Sequence, residues 1–292
     1  DIRAIIDERI GRPLGLDADE AAGAILTIAN TKMAGAMRMV SVSKGHDPRD
    51  FALFAFGGAG PLHASALAAE LGIPKVLVPA RPGITNALGC VVADLRHDFV
   101  NTINRPLDAI EMDDVSKIYR EQIAKGRALI EAEPVEVDAI DVVHTADMQF
   151  IGQTHLLTVA VPTADIDRSM LQALFEKAYL DRFHVQLPEI RANLVNINTA
   201  VIGRRPPIDL ARLIDPGGRA PLLDGAKAGE RLVWFDGQWI ETPIYWRDHL
   251  PIDAALTGPA IIEQMDTTTV IEPSHQMTSD ADGNLIITVE QK

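Results

Sequence analysis

The spacing of apolar positions changes several times along the chain, and each change marks an element. From Asp17 the apolar residues recur at helical spacing, and Asp17 with Glu20 three residues on forms a capping box. The pattern predicts a helix running to Gly45, whose many Ala and Gly residues call for close packing on another element. Phe51 to Phe56 is a short apolar run and predicts a strand. "FGGAGP" then turns the chain into an alanine-rich helix that Pro61 opens and Gly72 closes. "KVLVP" is continuously apolar, as expected of a strand buried on both faces. "ARPGITN" reads as a loop, with Thr85 or Asn86 capping a further helix over "ALGCVVADLRHDF". Strand, helix and strand in that order predict parallel strands with a right-handed crossover.

The character changes between Asn101 and Asp113. An amphipathic helix with Val115, Ile118, Tyr119, Ile123, Leu129 and Ile130 on its apolar face ends at "EAEP". "VVHTADMQFIGQTHLLTVAVP" alternates on both sides of Gly152-Gln153 and predicts a hairpin. A second amphipathic helix carries Leu171, Leu174, Phe175 and Ala178, and "NLVNINTAVIG" is a strand stopped by Arg204-Arg205-Pro206-Pro207. Residues 208–230 look like a linker. The remainder, 231–292, is β-rich: "RLVWF" and "QWIETPIYW" flank an Asp-Gly turn, followed by "GPAIIEQ", "TTTVIEP" and "DGNLIITV".

Composition narrows the class. A net charge of −14 argues against nucleic acid, whose phosphates are bound by basic surface. No apolar run reaches the roughly 18 residues that cross a bilayer, so no membrane partner is expected. A single cysteine, Cys90, excludes a disulfide framework and fits a reducing cytoplasm. Its apolar neighbours predict a small buried hydrophobe. The chain opens on Asp1 and goes straight into helix-like sequence, which suggests a piece of something longer.

The chemistry centres on Gly57, Gly58, Ala59 and Gly60. No Gly-Lys-Ser/Thr follows, so this is not a P-loop. The sixth position of a dinucleotide fingerprint counted from Gly58 is His63, and no acidic residue closes the next strand. General physics remains: glycines let backbone approach a ligand closely, and the following helix points free N–H groups at the same spot. A tight turn whose glycines only relieve crowding fits the residues equally well.

"GHDPRDFALFAFGGAGPLHASALAAELGIPKVLVP" and "GITNALGCVVADLRHDFV" resemble the hydantoinase A / 5-oxoprolinase family, large subunits of ATP-dependent ring-opening amidohydrolases with relatives among ketone carboxylases. "FIGQTHLLTVAVP", "FEKAYLDRF" and "LTGPAIIEQMDTTTVIEP" extend the resemblance over nearly the whole chain; "GITNALG" departs from it, lacking an aromatic and a serine before Ala-Leu-Gly. The resemblance implies an α/β actin-like ATPase (sugar kinase-like) subdomain fragment over residues 1–105. An α+β, β-rich C-terminal domain follows over 106–292. It implies that Gly57, Gly58, Ala59, Gly60 and His63 lie against the adenosine of ATP, with the phosphate and Mg sites upstream of this chain. A hydantoinase B-like second subunit is the implied partner, and a cyclic amide the implied substrate, its oxygen made a leaving group by phosphorylation. The alternatives are a subunit of an ATP-dependent ketone carboxylase and a non-catalytic docking scaffold. The piece alone is expected to be inactive.

Other residues were weighed with simpler roles beside them. His63 can make a helix-start hydrogen bond or touch the ligand. Asp94, Arg96, His97 and Asp98 crowd what reads as a helix end. Asp147 and His155 flank the Gly152-Gln153 turn, where a shared metal would need ligands converging at about 2 Å; no metal site is assigned. Glu263 and Asp266 bracket Gln264-Met265 beside a Thr triplet, whose β-branched residues most simply mean strand, with a binding role as the other reading. Trp234, Trp239 and Trp246 read as core. The helix surface from Ala21 to Met39 is expected to be bare and apolar, which favours an oligomer.

Overall fold

A computed structural model describes residues 1–187, 189–209 and 216–290. Short turns α1 (Ile2–Ile6) and α2 (Arg12–Leu14) precede α3 (Ala18–Val40). The chain continues through β1 (Ala52–Phe54), α4 (Gly60–Leu71), β2 (Lys75–Val78) and α5 (Thr85–Val92). Next come β3 (Leu95–Pro106), α6 (Met112–Ala132), β4 (Ala139–Phe150), β5 (Leu157–Val161), α7 (Arg168–Phe183) and β6 (Ala192–Arg204). The last stretch is all β: β7 (Lys227–Phe235), β8 (Gln238–Trp246), β9 (Ala255–Thr257), β10 (Ala260–Gln264), β11 (Thr267–Ile271), β12 (Gln276–Ser279) and β13 (Leu285–Thr288). These form two compact units, residues 1–91 with 209–292, and residues 92–208.

In the first unit the expected local signals are in place. Asp17 accepts from the Asp19 and Glu20 amides while Glu20 reaches back to the Asp17 amide, so the capping box opens α3. α3 ends at Val40, and a 3₁₀ turn carries the chain to Gly45, which takes the left-handed conformation. β1 and β2 pair in parallel, Leu53 opposite Val76, with α4 between them in sequence. Five strands form one sheet in the order β1-β2-β13-β12-β9, and a second sheet runs β11-β10-β8-β7. α4 packs its buried side, including Ala64, Leu67, Ala68 and Leu71, into the core that both sheets share. Ser65 on that helix donates to the Val270 carbonyl of β11 at 2.9 Å.

The second unit is a four-stranded antiparallel sheet, β3-β6-β4-β5, with α6 and α7 packed on it. Val115 and Tyr119 of α6 and Leu171, Phe175 and Tyr179 of α7 meet Met148, Phe150, Leu194 and Ile197. Full burial of such side chains stabilises by about 1.5–3 kcal/mol each. Alternate residues of β4 face the other way: Asp147 accepts from Thr158, Asn196 and Asn198.

Several expectations are corrected. "ADLRHDF" is not the end of a helix. α5 stops at Val92, and Leu95, His97 and Phe99 alternate with exposed neighbours along β3. Asp94 lies just before that strand, accepting from the Arg205 amide and the Arg204 guanidinium, and Arg96 pairs with Asp98 along it. Cys90 is exposed, because no residue of α5 is buried. Leu129 is 40% exposed, turned away from the α6 core face. Trp239 is 48% exposed and meets Trp234 edge to face, a surface pair on the hairpin, and Trp246 is half-buried. Of the linker-like stretch, 210–215 lies outside the described residues, and Lys227 to Glu230 already belong to β7. The β-rich end joins the sheet of the first unit through β13 and β2, Ile287 opposite Val76.

Candidate functional site

The strand-to-helix turn at Gly57–Gly60 is held from two sides within the first unit. The Gly57 amide donates to the Pro82 carbonyl at 2.7 Å. Thr267, first residue of β11, donates its hydroxyl to the carbonyls of Gly57 (3.3 Å) and Gly58 (2.9 Å). Gly57 itself has φ +83°, and a Cβ built on it would enter open space. The turn therefore presents a cleared surface at Gly57 and leads into α4 through Ala59, the residue before the helix, with Pro61 in its first turn.

Gly58 packs against the β10–β11 turn. A Cβ on it would point at the Asp266 carbonyl oxygen, 3.3 Å away, so this glycine makes room for the β10–β11 turn. Gly83 does the same from the loop after β2: a Cβ there would overlap the Asp266 carboxylate. The structure thus brings Asp266, and with it the β10–β11 turn, against the glycine turn. Glu263, three residues back on β10, pairs across the sheet with Thr268.

His63 is turned to a neighbouring helix. Its Nδ1 lies 2.9 Å from the Asn30 Oδ1 of α3, tying α4 to α3. Asp147 and His155 do not share a centre. Asp147 sits in its amide and hydroxyl network, while His155 packs on the Phe183 ring at 5.3 Å. Among the described residues no group of three or more His, Cys, Asp or Glu side chains converges on a metal position. No helix among them is long and apolar enough to cross a membrane.

The loop after β2 is braced by a buried cation that the sequence did not single out. Arg247, 6% exposed, donates through Nη2 to the carbonyls of Val78 (2.9 Å), Pro79 (2.6 Å) and Gly283 (3.0 Å). Burial pulls its guanidinium down to about 10. Gln264 Nε2 holds the Ala80 carbonyl at 3.0 Å, and Arg81 pairs with Asp248 at 2.5 Å. A cavity of about 30 Å³ between these groups has room for water only. "YWRDHL" carried no signal of this, since the carbonyls Arg247 braces lie far away in sequence.

The glycine turn fits a flat, uncharged moiety better than a phosphate. One of its N–H groups is already taken, and a carboxylate stands beside it. The surface cleared at Gly57 has room for the nucleoside end of a nucleotide.

The family profile described as hydantoinase/oxoprolinase matches residues 2–99, and the hydantoinase/oxoprolinase C-terminal domain matches 108–287. Caprolactamase subunit alpha of Pseudomonas jessenii is 30% identical over 286 residues, covering 94% of this chain and 40% of that protein. The acetophenone carboxylase gamma subunit of Aromatoleum aromaticum is 29% identical over 97% of this chain and 40% of its own length. The crystal structure of the ATP-dependent caprolactamase from Pseudomonas jessenii superposes with a TM-score of 0.78 at 28% identity, over 98% of this chain and 42% of that one. The chain spans about two fifths of the length of these relatives.

Proposed function

The chain belongs to the hydantoinase/oxoprolinase family, and on that premise we propose that it is part of an ATP-dependent cyclic-amide hydrolase subunit. The observation that carries this reading is the glycine turn between two parallel strands, cleared at Gly57 and pinned by Thr267 and Pro82. That arrangement supports an actin-like ATPase subdomain over residues 1–105, continued by the family's C-terminal domain over 106–292. Gly57, Gly58, Ala59 and Gly60 form the wall against which adenosine rests, with Gly57 the point of closest approach. His63 supports the wall from below through Asn30. Bound ATP supplies a phosphoryl group that makes the oxygen of a ring amide, a poor electrophile, into a leaving group. The residues of this chain orient the nucleoside; the phosphate and Mg groups lie upstream in the same polypeptide, and a hydantoinase B-like second subunit completes the enzyme in the cytoplasm.

The similarity to a carboxylase subunit sustains a second reading, a ketone carboxylase with the same use of ATP. ATP turnover by the full-length protein with its partner, on a panel of cyclic amides and ketones, separates the two. ADP release that requires a cyclic amide is expected. Release that requires a ketone and bicarbonate would assign the carboxylase, and nucleotide-independent assembly alone would leave a docking scaffold. In the same enzyme, Gly57→Ala puts a methyl into the cleared space at a left-handed position (φ +83°). Gly57→Asn, which tolerates that conformation better, is therefore measured beside it with the thermal midpoint of each. The KM for ATP should rise about tenfold or more with the amide KM unchanged, and an unchanged ATP KM would remove the glycine turn from the site.

A further inference from the structure

The β10–β11 turn lies directly against the glycine turn. Its anchor is Thr267, buried, whose hydroxyl bridges the Gly57 and Gly58 carbonyls. Its tip is Met265, 91% exposed, and Asp266, also exposed. Two glycines from a distant part of the chain, Gly58 and Gly83, leave no side chain where Asp266 sits. An exposed aspartate on an ordinary hairpin turn does not need two glycines cleared around it. Among the described residues its carboxylate has neither a hydrogen-bond donor nor an ion-pair partner, although Arg247 acts on it at longer range. Two acceptor oxygens therefore stand beside the glycine turn, open to a ligand.

A negative charge there repels phosphate oxygens, so the triphosphate must point away from it. What a lone carboxylate recognises in a nucleotide is the donor pair of the ribose, whose hydroxyls it can accept. We infer that Asp266 is the specificity-determining residue of this site, accepting a hydrogen bond from a ribose hydroxyl of the nucleotide resting on the glycine turn, with the Met265 thioether covering the base. The inference rests on the nucleotide reading of that turn. It accounts for two glycines at once: Gly83 is required for the placement of Asp266, and Gly58 for the passage of the turn that carries it.

The test is equilibrium binding to the full-length protein by calorimetry, with ATP, 2′-deoxy-ATP, 3′-deoxy-ATP and inorganic pyrophosphate. The native protein should prefer ATP to at least one deoxy analogue by about tenfold or more, as expected for losing a hydrogen bond to a charged group. Asp266→Ala should bind ATP about tenfold more weakly, level with that analogue, and leave the thermal midpoint unchanged because the side chain is exposed. Asp266→Asn, which keeps an acceptor oxygen, should recover part of the preference. Gly83→Ala, which displaces the carboxylate without removing it, should also lose the preference. If Asp266→Ala keeps the native ratio of ATP to both analogues while Gly57→Ala weakens all three nucleotides equally, the nucleotide site stands and Asp266 does not read the ribose. Tighter pyrophosphate binding by Asp266→Ala would make the turn a phosphate cradle and overturn the assignment. If neither Gly57→Ala nor Asp266→Ala changes nucleotide binding, the glycine turn is not the site, and the inference falls with it.

Discussion

His144 shows how a single side chain makes the second unit sensitive to acid. It is buried under the Tyr119 ring at 4.7 Å, and its Nδ1 meets the Thr199 hydroxyl at 3.0 Å, which in turn donates to Gln122. Desolvation holds the imidazole below its ordinary value, so the folded state keeps it neutral. The unfolded chain binds a proton near pH 6.5, the folded one only lower. Stability from the neutral ring is therefore fully present above about pH 6.5 and is lost as pH falls through the folded value. Asp147 acts in a lower window. Burial raises it, but hydrogen bonds from Thr158, Asn198 and Asn196 outweigh that and hold it below the usual carboxylate range. Its contribution is present above about pH 3.9 and lost below. Urea midpoints should fall between pH 7 and pH 5, and the fall should be shallower in His144→Gln. Equal slopes in the two proteins would show that His144 does not titrate on unfolding.

At the scale of elements, most of what has a local signal was legible. The Asp17–Glu20 box, the Pro61 and Gly72 boundaries of α4, and the Asp236-Gly237 turn each depend on atoms within a few residues. The strand β3 was missed because Leu88, Val91, Val92 and Leu95 share a helical spacing, and only the Arg204–Asp94 clasp and the pairing with β6 show where that spacing stops mattering. Long-range pairing leaves no periodicity in either partner. "KVLV" and "LIIT" each read as buried strands, but nothing in either run says that β13 lies beside β2. Of the candidate site only the local half, Gly57–Gly60, carries a sequence signal; Asp266, Gly83 and Arg247 come beside it through contacts between segments about 200 residues apart. The pairing also sets a prediction. Ile287 is fully buried at the seam, so Ile287→Ala should destabilise the first unit by about 2–5 kcal/mol. Hydrogen exchange of the β1 and β2 amides should speed up in that variant; unchanged exchange there would mean that the seam does not hold the glycine-turn scaffold.

Over the whole molecule, apolar surface is unevenly placed. Along α3, Ile25, Leu26, Ile28 and Met39 are 41–65% exposed, although the same helix buries Ala21 and Ala34. β1 adds Phe54, 45% exposed, with Phe56 against it at 5.4 Å. Apolar surface of this kind favours association. Light scattering at tens of micromolar should therefore find a dimer or larger species, and Ile25→Glu with Ile28→Glu should shift it toward monomer. A strict monomer in the unaltered chain would count against association through α3.

The seam between β2 and β13 has a further meaning while the protein is being made. β2 leaves the ribosome about 200 residues before the strand that will lie on its inner edge. At roughly 5–20 residues per second, that edge stays unpaired for about 10–40 s of synthesis. During that time its backbone donors and acceptors are open to any other extended chain nearby. The parallel pair that frames the glycine turn thus emerges well before the strand that closes its edge, and a nascent chain stalled before residue 285 would carry an open strand edge beside that turn.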